Sequence, residues 1–142
     1  MSRLDKSESG AALVEFAIVA PVLAMLLVGL IDVGRYMYDG VLAANAARAA
    51  AAYGAQTLST AEDTSGMQAA ANADSQGLTW QPISATAVCM VNNAPVQCGS
   101  NTAETVYVQV NVTGKFTPLI NYPLLRNPVY VSGSSFMRVE QQ

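Results

Sequence analysis

The sequence predicts an α+β chain: one long N-terminal helix, a second short helix, and a small antiparallel sheet of three or four strands. Three observations carry this. An apolar run from Ala11 to Ile31, whose one charge is Glu15, passes into an alanine-rich stretch that ends near Gln56. Ser59-Thr60-Ala61-Glu62 reads as a capping box and opens a new helix. Beyond Leu78 the apolar residues switch to a period of two, the spacing of a half-buried strand. Hydrophobic residues make up 51% of the 142 and charged residues only 12%, against about 25% charged in an ordinary soluble domain. The apolar excess lies in the first third, so the chain divides into an apolar N-terminal part and a polar, neutral-to-acidic domain over 57–142.

Residues 1–10 form a polar leader with Arg3, Asp5, Lys6 and Glu8. Its acids balance its bases and Arg35 lies on the far flank, so counting charges says little about orientation. As a helix, Ala11–Ile31 is roughly 30 Å long at about 1.5 Å per residue, the thickness of a bilayer core. Tyr36 and Tyr38 suit the headgroup region, with a ring in the apolar layer and a hydroxyl in water. Arg35 is placed to snorkel, and Asp32 and Asp39 read as solvated interfacial charges. Val41–Ala55 is mostly alanine, the best helix former, and small residues let another element approach closely. A continuous helix from about Ala12 to Gln56 would be nearly 70 Å long at about 1.5 Å per residue. Pro21 cannot donate to the carbonyl of Ala17 and is expected to kink or loosen that turn, although proline is also simply tolerated in membrane helices.

The capping box starts a helix at about Thr60–Gln76, with Met67, Ala70 and Ala71 on its apolar side and Gly77 as terminator. The adjacent acids Glu62 and Asp63 favour the helix dipole at that end. In the next segment Ile83, Ala85, Ala87, Cys89 and Val91 alternate with polar or small residues. Asn92-Asn93-Ala94-Pro95 is a turn, and Val96–Cys98 returns antiparallel. Glu104–Thr113 is the clearest strand, its valines alternating with Tyr107, Gln109, Asn111 and Thr113. An apolar, proline-punctuated loop runs from Phe116 to Pro128. It serves either as a partner surface or as a lid on one end of the core. Val129–Glu140 is the last strand, with a possible bulge at Gly133.

Cys89 and Cys98 are the two cysteines. If this part of the chain lies outside the cytoplasm, they form one disulfide; in a cytosolic domain they stay as thiols. Closing a ring of about ten residues contributes roughly 2.5–3 kcal/mol in the loop-entropy account. No second pair is present to make a zinc site.

Several function classes are excluded. The net charge is −3 with no Lys/Arg cluster, which argues against nucleic-acid binding. The chain has no His, which removes the usual general base and the commonest metal ligand. There is no phosphate-cradling glycine loop, no calcium-loop spacing and no nucleophile elbow. No enzyme activity, cofactor, metal or small-molecule substrate is expected. Asn111-Val112-Thr113 is a formal glycosylation sequon on a strand.

Glu15 is the residue that these classes leave unexplained. A carboxylate at a helix centre costs about 2.5–3.5 kcal/mol on insertion scales, and less near the interface. It either rests hydrated near the headgroups or has a partner. Gly10-Ala11-Ala12-Leu13-Val14-Glu15-Phe16 resembles the type IV prepilin processing motif: a hydrophilic leader, a glycine, the cut, an apolar helix, and Glu as the fifth mature residue. The resemblance extends through Ala17–Leu23, Gly34-Arg35-Tyr36 and Ala44–Tyr53 to the TadE-like pseudopilins of the bacterial Tad (Flp-type) pilus. It is specific over about residues 10–56, and Phe136-Met137-Arg138 resembles the end of that family.

The resemblance implies a leader, 1–10, cut at Gly10–Ala11 by a prepilin peptidase. A long helix over 11–56 would follow, with its transmembrane half at 11–31, and then a periplasmic α+β head at 57–142. Gly10 would be recognised before the cut, Ala11 would supply a new amine, and Glu15 would pair with that amine on a neighbouring helix. The protein would be a minor pilin or pseudopilin in a bacterial inner membrane, with a possible place in an extracellular pilus that supports adhesion and biofilm formation. Its partners would be the peptidase, other Tad pilins and pseudopilins, and the inner-membrane assembly platform. Ala11 departs from the Phe at this position in many type IV pilins, which puts N-methylation in doubt. Two other readings compete with this one. A secretory signal has an apolar region of only about 7–15 residues, and this run is longer. An uncleaved, membrane-anchored periplasmic binding module fits the length but gives Glu15 no role.

Overall fold

The computed structural model describes residues 5–74, 83–92, 94–96, 105–120, 122 and 128–140, with side chains from Gly10 onward. The fold is α+β. Helix α1 (Asp5–Gly54) is followed by two short helices, α2 (Leu58–Glu62) and α3 (Thr64–Asp74), and four strands: β1 (Ser84–Val91), β2 (Ala94–Val96), β3 (Thr105–Phe116) and β4 (Val129–Arg138). The expected helix end at Gly77, the turn residue Asn93, Cys98 and the loop positions 121 and 123–127 lie outside the described residues.

α1 has 50 residues and is therefore about 75 Å long. It starts earlier than its apolar pattern suggested, within the polar residues 1–10, and runs unbroken through Pro21. Its two halves have opposite environments. From Leu13 to Val41 the large apolar side chains are exposed, apart from half-buried Val28. From Ala43 onward, Ala43, Ala46, Ala47, Ala50, Ala51 and Gly54 are buried. That 3–4 spacing marks one helical face, and it lies on the sheet.

The sheet is antiparallel, in the order β2-β1-β3-β4. Val106, Val108, Val110 and Val112 of β3 point inward, with Cys89 of β1 and Val131 of β4. The opposite face carries Gln109, Asn111, Lys115, Ser132 and Ser134, all exposed. The two-fold alternation read from the sequence is thus a true inside–outside division. β1 and β2 form a tight hairpin with Asn92 at φ 52, a left-handed conformation that Asn tolerates. Pro95 sits on the edge strand opposite Met90, where a missing N–H costs no ladder bond.

Gly133 is not at a bulge. β4 pairs without interruption across it, Val112 opposite Gly133. The glycine is needed for another reason: a Cβ there would run into the carbonyl of Ala43 and the amide of Ala44. Helix and strand backbones meet at this point, so Gly133 cannot carry a side chain without a shift of one of them.

The second helical region also differs from expectation. The N-cap is Thr57, not Ser59. Thr57 accepts from the Thr60 amide, while the Thr60 hydroxyl accepts from the Thr57 amide at 2.9 Å. A Thr at the third helical position replaces the expected Glu62 in this reciprocal arrangement. The expected single helix is split at Asp63, whose carboxylate accepts from the Gly66 amide and the Ser65 hydroxyl and so starts α3. Asp-Thr-Ser-Gly is a good cap sequence, and its local hydrogen bonds outweigh continuation of α2. α3 buries Met67 and Ala71 against α1, and Gln68 accepts the Ile83 amide at 2.8 Å, tying the start of the sheet to the helix.

Candidate functional site at the base of the head

The sheet end nearest the apolar half of α1 is closed by Phe116 and the loop after it. Phe116 is buried with Ala43 and Val131. Its ring meets Tyr36 edge-on at 5.5 Å between centroids, and the Arg35 guanidinium lies 5.5 Å from the same ring. The chain then turns back onto the helix, and there it meets Asp32.

Asp32 is 4% exposed, the sole buried charged side chain among the described residues. Both of its carboxylate oxygens accept from the Leu119 amide at 3.0 Å. The Tyr122 hydroxyl donates to Oδ2 at 3.0 Å, and Arg35 donates to Oδ1 at 3.1 Å. Arg35 also donates to the Thr117 carbonyl at 3.4 Å. A desolvated carboxylate is tolerated only when its lone pairs are used, and here a main-chain amide, a phenol and a guanidinium use them. The expectation of solvated interfacial charge at Asp32 is therefore corrected, while the Arg35 side chain stays 44% exposed. Both hold the loop to the helix. No local signal marked this site, because Asp32 and its loop partners are 87 and 90 positions apart. A lone acid flanking an apolar run, with a proline-rich apolar loop far downstream, is the faint trace that the sequence carries.

At the other end of the head, the Tyr53 hydroxyl donates to Asp63 Oδ2 at 2.8 Å. Hydrogen bonds from the Ser65 hydroxyl, the Gly66 amide and the Tyr53 hydroxyl hold the Asp63 carboxyl down at about 2.

The residues singled out in the sequence fall in three places. Gly10, Ala11, Glu15 and Pro21 are all exposed on α1; Gly10 lies about 30 Å along the helix axis from Asp32. Cys89 is buried on β1, opposite Val96 of β2, and Cys98 lies outside the described residues. Hence the structure assembles one site that was not expected, around Asp32, and leaves the residues of the expected processing motif on an open helix.

That helix has the form of a candidate membrane span, and its most apolar window buries nothing against the rest of the chain. The family model for TadE-like proteins matches residues 10–52. The N-terminal segment is thus similar to TadE-like proteins, and the match does not extend to the sheet. The matched region takes in the exposed apolar half of α1, Asp32 and Arg35, and most of the alanine face. No curated protein and no solved structure matches the chain.

Proposed function

We propose that this chain is a minor pilin or pseudopilin of a Tad pilus, processed by a prepilin peptidase between Gly10 and Ala11. One observation carries this reading. A single helix is apolar and uncovered over one half and packed by alanines onto a sheet over the other half. Soluble monomers rarely leave a contiguous apolar surface of this extent uncovered. Lipid covers it before assembly, and other helices cover it in a filament. The TadE-like match over the same helix supports the choice of system.

The mature amine on Ala11 pairs with Glu15 of a neighbouring subunit, because each charge is expensive alone in an apolar setting and less so together. The head lies in the periplasm, where Cys89 and Cys98 are joined as a disulfide. The partners are the peptidase, other Tad pilins and pseudopilins, and the inner-membrane platform, and the pilus they build serves adhesion and biofilm formation.

The test is the intact mass and N-terminal sequence of the membrane-extracted protein, with and without the host's prepilin peptidase. A peptidase-dependent start at Ala11 is expected. A start at Met1 in both strains refutes processing and leaves an anchored module. Glu15→Gln should still be cleaved but should impair piliation, and normal piliation would sink the proposed pair.

A further inference from the structure

We propose that Thr117, Pro118, Leu119, Ile120 and Tyr122 belong to a membrane-contacting collar. In it Leu119 and Ile120 insert into the phospholipid interface beside α1, and Asp32 is the latch that holds them at that depth. The inference rests on the reading that the apolar half of α1 spans a bilayer.

Depth is the first argument. Asp32 directly follows Ile31, the last residue of the apolar run, and the Leu119 amide lies 3.0 Å from its carboxylate. The loop goes lower still, since the Tyr122 hydroxyl lies 4.0 Å from where a Cβ on Gly29 would stand. Gly29 is inside the apolar run. A bilayer that covers the run to its end therefore reaches the height of the loop.

Exposure is the second. At this height the loop turns its polar groups inward, to Asp32 and Arg35. It leaves Leu119 59% and Ile120 40% exposed. Two large aliphatic side chains in water beside a bilayer are unfavourable, and the same two in the headgroup–acyl boundary are favourable. Leu30 and Ile31, just before Asp32 on α1, are also exposed, so lipid that covers the helix to the end of its apolar run reaches the height of Leu119.

The latch is the third. A bare carboxylate at the edge of a bilayer would be hydrated and would draw water to the helix. The loop's amide and phenol replace that water, which gives Asp32 a dry environment next to lipid. The collar also fixes the head against the bilayer at a second point, so that the head is not free to swing about the helix.

The experiment uses the full chain with Trp80→Phe, reconstituted into phosphatidylcholine vesicles whose acyl chains carry bromine, a tryptophan quencher, either near the headgroup or near the chain end. Single tryptophans are introduced as Leu119→Trp, as Leu30→Trp in the apolar run, and as Asn111→Trp on the outer face of the sheet. The expected result is blue-shifted emission from Leu119→Trp. Its quenching should be stronger with shallow than with deep bromines and of the same order as that of Leu30→Trp, and Asn111→Trp should be unquenched. Quenching of Leu30→Trp without quenching of Leu119→Trp overturns the collar and leaves the membrane span standing. Failure of both to be quenched overturns the span and the collar together. Blue-shifted emission from Leu119→Trp without quenching means that protein, not lipid, covers the loop, and it also overturns the proposal.

Discussion

Gly133→Ala tests the contact on which the packing of α1 against the sheet depends. The added Cβ would meet the Ala43 carbonyl and the Ala44 amide nitrogen, the latter at 2.6 Å. Both are backbone atoms in the middle of a helix, so no side chain can swing aside. Two effects oppose each other. Replacing a strand glycine recovers roughly 0.5–1 kcal/mol of backbone entropy. Forcing α1 away from β4 disturbs buried Ala43, Val131 and Phe116, and overpacking of this kind costs about 1–3 kcal/mol, occasionally more. The clash wins, because the helix is also pinned one turn later by Ala46 and Ala47 at the centre of the core and cannot tilt freely. A net loss of about 1–2 kcal/mol corresponds to a fall in Tm of roughly 4–16 °C for a domain of this size. The assay is thermal unfolding of the detergent-solubilised chain followed by near-ultraviolet circular dichroism, which reports packing of the sheet's aromatic residues. Ala43→Gly should not rescue the variant, since the obstacle is the Ala43 backbone and not its methyl group. As a control, Gly40→Ala adds a Cβ that meets nothing within 4 Å and should leave Tm unchanged or raise it, by up to about 1 kcal/mol in stability. An unchanged or raised Tm for Gly133→Ala would refute the close approach.

Three further outcomes are expected. Thr57→Ala should cost about 0.5–2 kcal/mol in a denaturant titration, while Ser59→Ala should cost nearly nothing; the reverse order would restore the cap at Ser59. Asp63 has its carboxyl held at about 2 against an ordinary 3.8, so its contribution to stability is complete above the ordinary value and is lost as pH falls through about 2. Acid unfolding curves of the native chain and of Asp63→Asn should therefore converge over that window, and curves that stay parallel would contradict the assignment. Asp32→Ala leaves the Leu119 amide and the Tyr122 hydroxyl without their acceptor, so hydrogen exchange at the Leu119 amide should accelerate strongly while exchange at Val108 and Val110 stays slow. Unchanged protection at Leu119 would mean that Asp32 is not what holds the loop.

Much of the fold was legible because its signals are local. Alternating valines at 106, 108, 110 and 112 have one way to bury a single face, and the structure buries all four. The alanines from 43 to 51 combine high helix propensity with small volume, which suits both a helix and close packing on a sheet. Short-range competition was less legible. Thr57 and Ser59 are both acceptable caps, and the choice went to the one whose partner, Thr60, can answer with its own hydroxyl and also reach the Gly54 carbonyl. The break at Asp63 comes from its bonds to the Ser65 hydroxyl and Gly66 amide, and the further bond from a phenol ten positions earlier lies outside any window over the second helix.

The amino-acid sequence by itself determined the long helix, its apolar exposed half and small-residue half, the strand faces and the resemblance at the processing motif. Each of these depends on residues within a turn or a strand of one another. Only the tertiary structure decided the purpose of Gly133, where two backbones meet, and the fate of Asp32, where a charge expected in water is enclosed by a loop from the other end of the chain. The physical reason is the same for both. Burial and hydrogen-bond satisfaction belong to pairs of groups, and when the partners are some ninety residues apart they become neighbours only after the sheet has packed on the helix.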